Sequence, residues 1–170
     1  MKLAIVGATG LVGKMMLKVL NERKIPISEL HLFASSNSAG TSITFRDKKH
    51  IIKILSESSM TIKYDYILMS AGSTIAKNYA PIASKFNNTI IDNSSAFRRD
   101  SSIPLVIPEV NYESLRNYNG IIANPNCSTI QMVLSLHNLH KKYRLTKIIV
   151  STYQAVSGAG KQAIDSLKNE

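Results

Sequence analysis

A glycine-spaced turn between a short apolar strand and an amphipathic helix opens the chain. Residues 2–6 are mostly apolar, and Gly7, Gly10 and Gly13 follow at intervals of three. From residue 12 to residue 20, apolar side chains recur at helical spacing. This order predicts the first unit of a nucleotide-binding α/β fold, in which backbone amides approach a pyrophosphate at the helix N-terminus. Because the spacing is not the commoner Gly-x-Gly-x-x-Gly, a plain tight turn is the alternative.

Strand and helix patterns alternate along the rest of the chain. Strands are predicted over residues 30–34, 43–45, 51–55, 65–69, 89–91, 121–124 and 146–153, and helices over 73–86, 130–139 and from 161 onward. We expect the second helix to bend or restart at Pro81, residues 104–111 to be extended, and 113–118 to form a helical turn. The alternation predicts an α/β class with a Rossmann-like, mostly parallel sheet and helices on both faces.

The single cysteine of the chain lies where a predicted strand turns into a predicted helix. Pro125 ends the strand, and the apolar run after Cys127 predicts a buried helix, so the cysteine falls at a helix N-terminus. Unpaired amides at that position favour a thiolate and can stabilise an oxyanion on a substrate carbonyl. Cys127 is therefore a candidate nucleophile, and a small buried structural cysteine is the alternative.

Composition limits the classes of protein that need to be considered. With 170 residues, 44% hydrophobic and 19% charged, the chain is globular, and no apolar run is long enough to cross a membrane. One cysteine and no signal peptide predict a cytoplasmic protein. The net charge of +10 is scattered, so nucleic-acid binding is not favoured. The four histidines lack ligand partners at suitable spacing, and no metal site is predicted.

The loop after the second strand bears on the choice of dinucleotide. NAD enzymes place Asp or Glu there to hold the ribose 2′-hydroxyl, but this loop reads Ser35, Ser36, Asn37, Ser38 and then Ala-Gly. Its hydroxyl and amide groups suit a 2′-phosphate that a carboxylate would repel. We therefore expect NADP rather than NAD, with a serine-rich surface loop as the alternative.

Taken together, the motifs resemble the bacterial aspartate-semialdehyde dehydrogenase family. The matching stretches are residues 7–13, 35–40, 70–72, 92–98, 104–111, 124–131 and 153–160. N-acetyl-glutamyl-phosphate reductases share the glycine turn and a reactive cysteine, but their usual Asn-Pro-Gly-Cys-Tyr differs from the Asn-Cys-Ser-Thr around Cys127. The resemblance implies NADPH-dependent reductive dephosphorylation of aspartyl phosphate to aspartate semialdehyde through a cysteine thioester, on the route to lysine, threonine and methionine.

The resemblance also implies roles for individual residues. Cys127 resembles the nucleophile, Asn126 a neighbour that positions the acyl group, Arg98 the phosphate-binding arginine, and Gln154 the side chain that orients the acyl-enzyme. The residues that resemble cofactor contacts are Gly7, Thr9, Gly10, Leu11, Val12, Ser35, Ser36, Asn37, Ser38, Gly72, Ser157 and Gly158. The family usually has arginine where Asn37 stands, so NADP preference is expected to rest on the serines or to be weaker.

The resemblance divides the chain into two parts. Residues 1–127 are expected to form the NADP-binding domain, and residues 128–170 to begin a catalytic and dimerisation domain of α+β type. Since members of the family are longer, we expect a fragment that turns over acyl phosphate slowly or not at all, a homodimer at full length, and self-association through an exposed strand at 146–153. A non-catalytic nucleotide-binding module remains the alternative.

Overall fold

A seven-stranded sheet forms the centre of the molecule. The computed structural model describes residues 1–169. The strands are β1 (Lys2–Val6), β2 (Glu29–Ala34), β3 (Ser42–Phe45), β4 (Lys48–Ile54), β5 (Tyr66–Met69), β6 (Thr89–Asp92) and β7 (Ile121–Ala123). They lie in the order β3-β4-β2-β1-β5-β6-β7, and all neighbours are parallel except the β3–β4 hairpin.

Six helices connect or follow these strands within residues 1–169. They are α1 (Leu11–Glu22), α2 (Glu57–Met60), α3 (Ser73–Lys85), α4 (Pro108–Asn111), α5 (Cys127–Tyr143) and α6 (Lys161–Asn169). Short 3-10 turns occur at Ser36–Ser38, Tyr112–Leu115 and Val156–Ala159. None of the helices described is long and apolar enough to cross a membrane.

The two faces of the central strands carry two separate hydrophobic clusters. Successive side chains of a strand point to opposite faces, so Leu3 and Ile5 of β1 pack with Leu17 of α1, while Ala4 and Val6 join the α3 face. Alanines at helical spacing in α3 keep that helix close to the sheet. Burial on both faces explains why the central strands are almost entirely apolar. The predicted α/β class with a mostly parallel, two-sided sheet is confirmed.

The prediction of a strand over residues 146–153 is wrong. These residues are all described and form no regular secondary structure, and Ile149 and Tyr153 are 84% and 99% exposed. A strand requires a neighbour for its backbone hydrogen bonds, and the sheet already ends at β7, which pairs with β6. The predicted self-association through a strand edge at this position therefore has no structural support.

Three helical predictions also need correction. The helix after the cysteine forms, but none of the residues of α5 is buried, because little of the described chain packs against its apolar side. Residues 104–111 are not extended throughout, since Pro108 begins α4, a position that proline favours. Helix α3 does not restart at Pro81 but continues through it to Lys85.

Candidate active site

The turn after β1 and the ends of its neighbours enclose a cleft of about 450 Å³, here called the glycine cleft. Its lining residues are Val6, Gly7, Thr9, Gly10, Ala34, Ser35, Ser36, Ile54, Leu55, Ser70, Ala71, Ile75 and Tyr79. It lies at the carboxyl ends of β1, β2, β4 and β5. Parallel sheets bind ligands at this edge, at the point where the order of the strands reverses direction. Helix α1 has no side-chain cap, so its first amides remain available to an anion.

Close backbone contacts fix the shape of the glycine turn. Gly7 has φ +87°, and a Cβ on it would lie 2.3 Å from the carbonyl oxygen of Ser70. A Cβ on Gly13 would lie 2.2 Å from the carbonyl oxygen of Gly7. The amides of Gly7 and Ala8 both donate to the Phe33 carbonyl, at 2.9 and 3.2 Å. The turn is therefore held against both β5 and β2.

Only some of the cofactor residues predicted from the sequence line the glycine cleft. Gly7, Thr9, Gly10, Ser35 and Ser36 do. Six others, whose roles the structure does not test, are not among its lining residues: Leu11, Val12, Asn37, Ser38, Ser157 and Gly158. Gly72, which caps α3 with φ +88°, is also not among the lining residues of the glycine cleft.

A second cleft of about 480 Å³, here called the cysteine cleft, surrounds Cys127. Cys127 is the first residue of α5 and is exposed. The Asn126 side chain caps this helix by accepting from the Ser128 amide at 3.1 Å. The Gln154 amide donates to the Cys127 sulfur at 3.6 Å, and Ser157 and Gly158 line the same cleft. The structure thus brings the predicted nucleophile, its capping neighbour and Gln154 together.

Gly158 is needed for Gln154 to occupy its position. A Cβ on Gly158 would lie 1.9 Å from the Gln154 Nε2 atom and 2.9 Å from its Cδ atom. The Gln154 side chain therefore lies against the bare backbone of Gly158 while its amide reaches the sulfur. This contact gives a glycine that was predicted as a cofactor contact a second role in positioning Gln154.

Arg98 joins the loops that follow β6 and β7. Its Nε donates to the Asn124 carbonyl at 2.9 Å, and its Nη2 donates to the Asn93 carbonyl at 3.0 Å. Asn124 precedes Cys127 by three residues, so the guanidinium is tied to the segment that carries the cysteine. No carboxylate within residues 1–169 forms a salt bridge with Arg98, which leaves its charge for an anionic ligand.

Comparison with known protein families identifies the domain that carries the glycine cleft. Residues 2–118 match the family model described as semialdehyde dehydrogenase, NAD binding domain. The chain belongs to the semialdehyde dehydrogenase family. Residues 136–170 match a second model from these dehydrogenases, described as the dimerisation domain.

Several curated semialdehyde dehydrogenases resemble the chain closely. The chain is 50% identical over 171 residues to an aspartate-semialdehyde dehydrogenase of Aquifex aeolicus, covering 99% of this chain and 50% of that protein. It is 49% identical to the Bacillus subtilis enzyme of the same name, covering 98% and 48%. The crystal structure of aspartate semialdehyde dehydrogenase II complexed with ASA, from Vibrio cholerae, matches with TM-score 0.91 and 45% identity, covering 98% of this chain and 50% of that one.

The chain spans about half the length of the curated semialdehyde dehydrogenases that it matches. Its NAD(P)-binding domain is shown by the family match and by the two-sided parallel sheet.

Among the residues that line the glycine cleft, Ile75 and Tyr79 were not predicted from the sequence. Ile75 and Tyr79 lie one helical turn apart on α3 and contribute to the wall next to Ser70. Their i, i+4 spacing on the helix after β5 is the signal that would have found them.

Proposed function

We propose that this chain carries the cofactor site and the nucleophile of an NADPH-dependent aspartate-semialdehyde dehydrogenase. The proposed reaction is reductive dephosphorylation of L-aspartyl 4-phosphate to L-aspartate 4-semialdehyde. The relatives' shared name, aspartate-semialdehyde dehydrogenase, supports the identity of the aldehyde. The observation that carries this proposal is the exposed Cys127 sulfur on the first turn of α5, with the Gln154 amide 3.6 Å away.

The first chemical step is acylation of the cysteine. The Cys127 thiolate attacks the acyl carbon, a C–S bond forms, and the bond from that carbon to the phosphate oxygen breaks. Amides at the start of α5 stabilise the oxyanion of the tetrahedral intermediate, and Asn126 keeps this turn in place by capping it. Arg98 holds the phosphate as it leaves. The product of this half-reaction is a thioester on Cys127.

The second step is reduction of the thioester. A reduced nicotinamide held by the residues of the glycine cleft would supply a hydride to the acyl carbon. Gln154 lies beside the sulfur, where its amide holds the acyl group. When the resulting oxyanion collapses, the C–S bond breaks, the aldehyde leaves, and Cys127 returns to the thiolate.

The residues of the glycine cleft fit a dinucleotide phosphate. The uncapped start of α1 offers amides to the pyrophosphate, and Gly10 presents no side chain at the opening of the cleft. Ser35 and Ser36 line the same cleft at the end of β2, where an acidic residue would favour NAD. We infer NADP preference from these two serines. NADPH should therefore bind more tightly than NADH, and Ser36→Asp should reverse the order in a fluorescence titration.

Domain division and assembly follow from the same proposal. The last strand of the sheet ends at Ala123 and α5 begins at Cys127, which supports a cofactor domain over residues 1–127 and the start of a catalytic domain over 128–170. The dimerisation-domain match at residues 136–170 supports a homodimer. Ser157 and Gly158, in the cysteine cleft, would then face the nicotinamide.

Two alternatives are weaker. The relatives' names, which specify aspartate semialdehyde, favour aspartyl phosphate over N-acetyl-glutamyl phosphate as the substrate. A purely structural cysteine disagrees with the exposure of Cys127 and with the side chain placed against its sulfur.

Acylation can be tested on this chain without the reduction step. The chain is mixed with aspartyl phosphate, and its intact mass and the released phosphate are measured. We expect an acyl adduct that maps to Cys127 and is released by hydroxylamine, and no adduct on Cys127→Ala. An unmodified Cys127 at saturating aspartyl phosphate would refute the proposed nucleophile.

A further inference from the structure

Two asparagines join the loops beside Cys127 through both their side chains and their backbones. The Asn124 Nδ2 donates to the Asn93 Oδ1 at 2.7 Å, and both residues are half-buried. Their carbonyl oxygens accept the two hydrogen bonds from Arg98. The backbone amide of Asn124 also donates to the backbone carbonyl of Asp92 at 2.8 Å. The side-chain bond therefore fixes the separation of the two carbonyls that hold the guanidinium.

These contacts decide which part of Arg98 can bind a ligand. Nε and Nη2 form one edge of the planar guanidinium, and this edge is used by the two carbonyls. Nη1 has no partner within residues 1–169, and Nη2 keeps a second hydrogen. The remaining donors form the outer edge of the fork, which suits two oxygens of one phosphate.

We propose that Asn93 and Asn124 are positioning residues that present the outer edge of Arg98 to the phosphate of the substrate. This inference rests on the proposed function for the identity of the ligand. Without the side-chain bond, the backbone bond from Asn124 to Asp92 still joins the two loops, but the two carbonyls lose the contact that sets their separation and hold the guanidinium less firmly. The pair therefore acts on anion binding through Arg98 and touches no reacting atom.

A double-mutant cycle on the two asparagines tests the side-chain bond. Asn93→Leu removes the acceptor and Asn124→Leu removes the donor, so each variant loses the bond whichever way the remaining amide is turned. Neither variant adds a charge near Arg98, and leucine is close to asparagine in size. If the bond positions Arg98, the variant with both substitutions should lose no more phosphate affinity than either single variant.

The readout is binding of inorganic phosphate by the 170-residue chain. The thermal midpoint is measured against phosphate concentration, with each variant referred to its own midpoint without phosphate. We expect each single variant to bind phosphate about tenfold more weakly than the wild-type chain, the effect of losing roughly one hydrogen bond, and the double variant to bind it no more weakly than either. Arg98→Gln should remove the phosphate dependence.

Wild-type phosphate affinity in either single variant would overturn the proposal, and so would additive losses in the double variant or a wild-type chain whose midpoint does not respond to phosphate. Neither measurement depends on the reactivity of Cys127. Failure of the acylation experiment would therefore refute the proposed nucleophile while leaving this result standing, and failure here would leave acylation standing.

Discussion

Replacing Gly7 with alanine should destabilise the fold far more than the same change at Gly10. The new Cβ at position 7 would lie 2.3 Å from the Ser70 carbonyl oxygen, so the ends of β1 and β5 would have to separate by about 1 Å to reach ordinary contact. The φ of +87° adds about 1–2 kcal/mol for a residue with a side chain. Separation also weakens the bonds from the Ser70 amide to Val6 and from the Gly7 amide to Phe33, at about 1 kcal/mol each. The expected loss is about 3–4 kcal/mol.

Gly10 provides the matched control. Its φ of −69° suits alanine, and a Cβ there would lie 3.3 Å from the Gly7 carbonyl oxygen, a contact that a small shift relieves. As the cap of α1, Gly10→Ala should cost about 1 kcal/mol or less. Because Gly10 lines the glycine cleft, the methyl group should nevertheless obstruct NADPH.

The two effects are separated by two measurements. Urea unfolding followed by far-UV circular dichroism gives the free energy of unfolding by linear extrapolation. NADPH binding is measured by calorimetry on variants that remain folded. If the free energy of unfolding of Gly7→Ala lies within about 0.5 kcal/mol of the wild-type value, the backbone contact does not constrain the turn. If Gly10→Ala binds NADPH normally, the pyrophosphate does not lie against this residue.

Three further predictions concern the cysteine cleft and the core. Gly158→Ala should slow alkylation of Cys127 by iodoacetamide at neutral pH a few-fold, since it displaces the Gln154 donor from the sulfur. Burial raises the pKa of Tyr64 to about 12, so the unfolded chain loses this proton first. The free energy of unfolding should therefore fall by roughly 2 kcal/mol between pH 10 and 12, and Tyr64→Phe should make this decline smaller. Asn126→Ala should cost about 1 kcal/mol by uncapping α5, measured by urea unfolding.

Each of these predictions has a control in the same chain. Gly160→Ala strains the same turn, at φ +94°, but meets no neighbour, so Cys127 should react at the wild-type rate. Tyr66→Phe changes a tyrosine that is 42% exposed and should leave the alkaline decline in place. Asn126→Asp keeps the capping oxygen and should restore stability. Equal behaviour of a variant and its control would contradict the corresponding prediction.

The parts of the fold that depend on local pattern could be predicted from the sequence. Strand β1, the glycine turn and α1 follow from a short apolar run, three glycines and helical spacing, and all three lie as expected. The start of α5 at Cys127 follows from Pro125 and the apolar run beyond it. These features depend on residues that are close together in the sequence, so local patterns are enough to predict them.

The features that were predicted wrongly depend on partners distant in sequence. Residues 146–153 are rich in β-branched side chains, but no strand lies beside them in the described chain. The apolar side of α5 led to the prediction that this helix is buried. Burial also requires a second surface that covers the apolar side. The Asn93–Asn124 bond was also out of reach, because 31 residues separate its partners and only the parallel pairing of β6 with β7 brings them together.

The carbonyl oxygen of Phe33 couples the glycine turn to the serine loop, which form two ends of the glycine cleft. Phe33 is followed by Ala34 and the serine loop, while its carbonyl accepts from both Gly7 and Ala8. A substitution that moves the serine loop to change the preferred dinucleotide should therefore also shift the amides of the glycine turn. Engineering of cofactor choice in this protein should accordingly show epistasis between the two loops, and the best combination is one selected jointly rather than assembled from single changes.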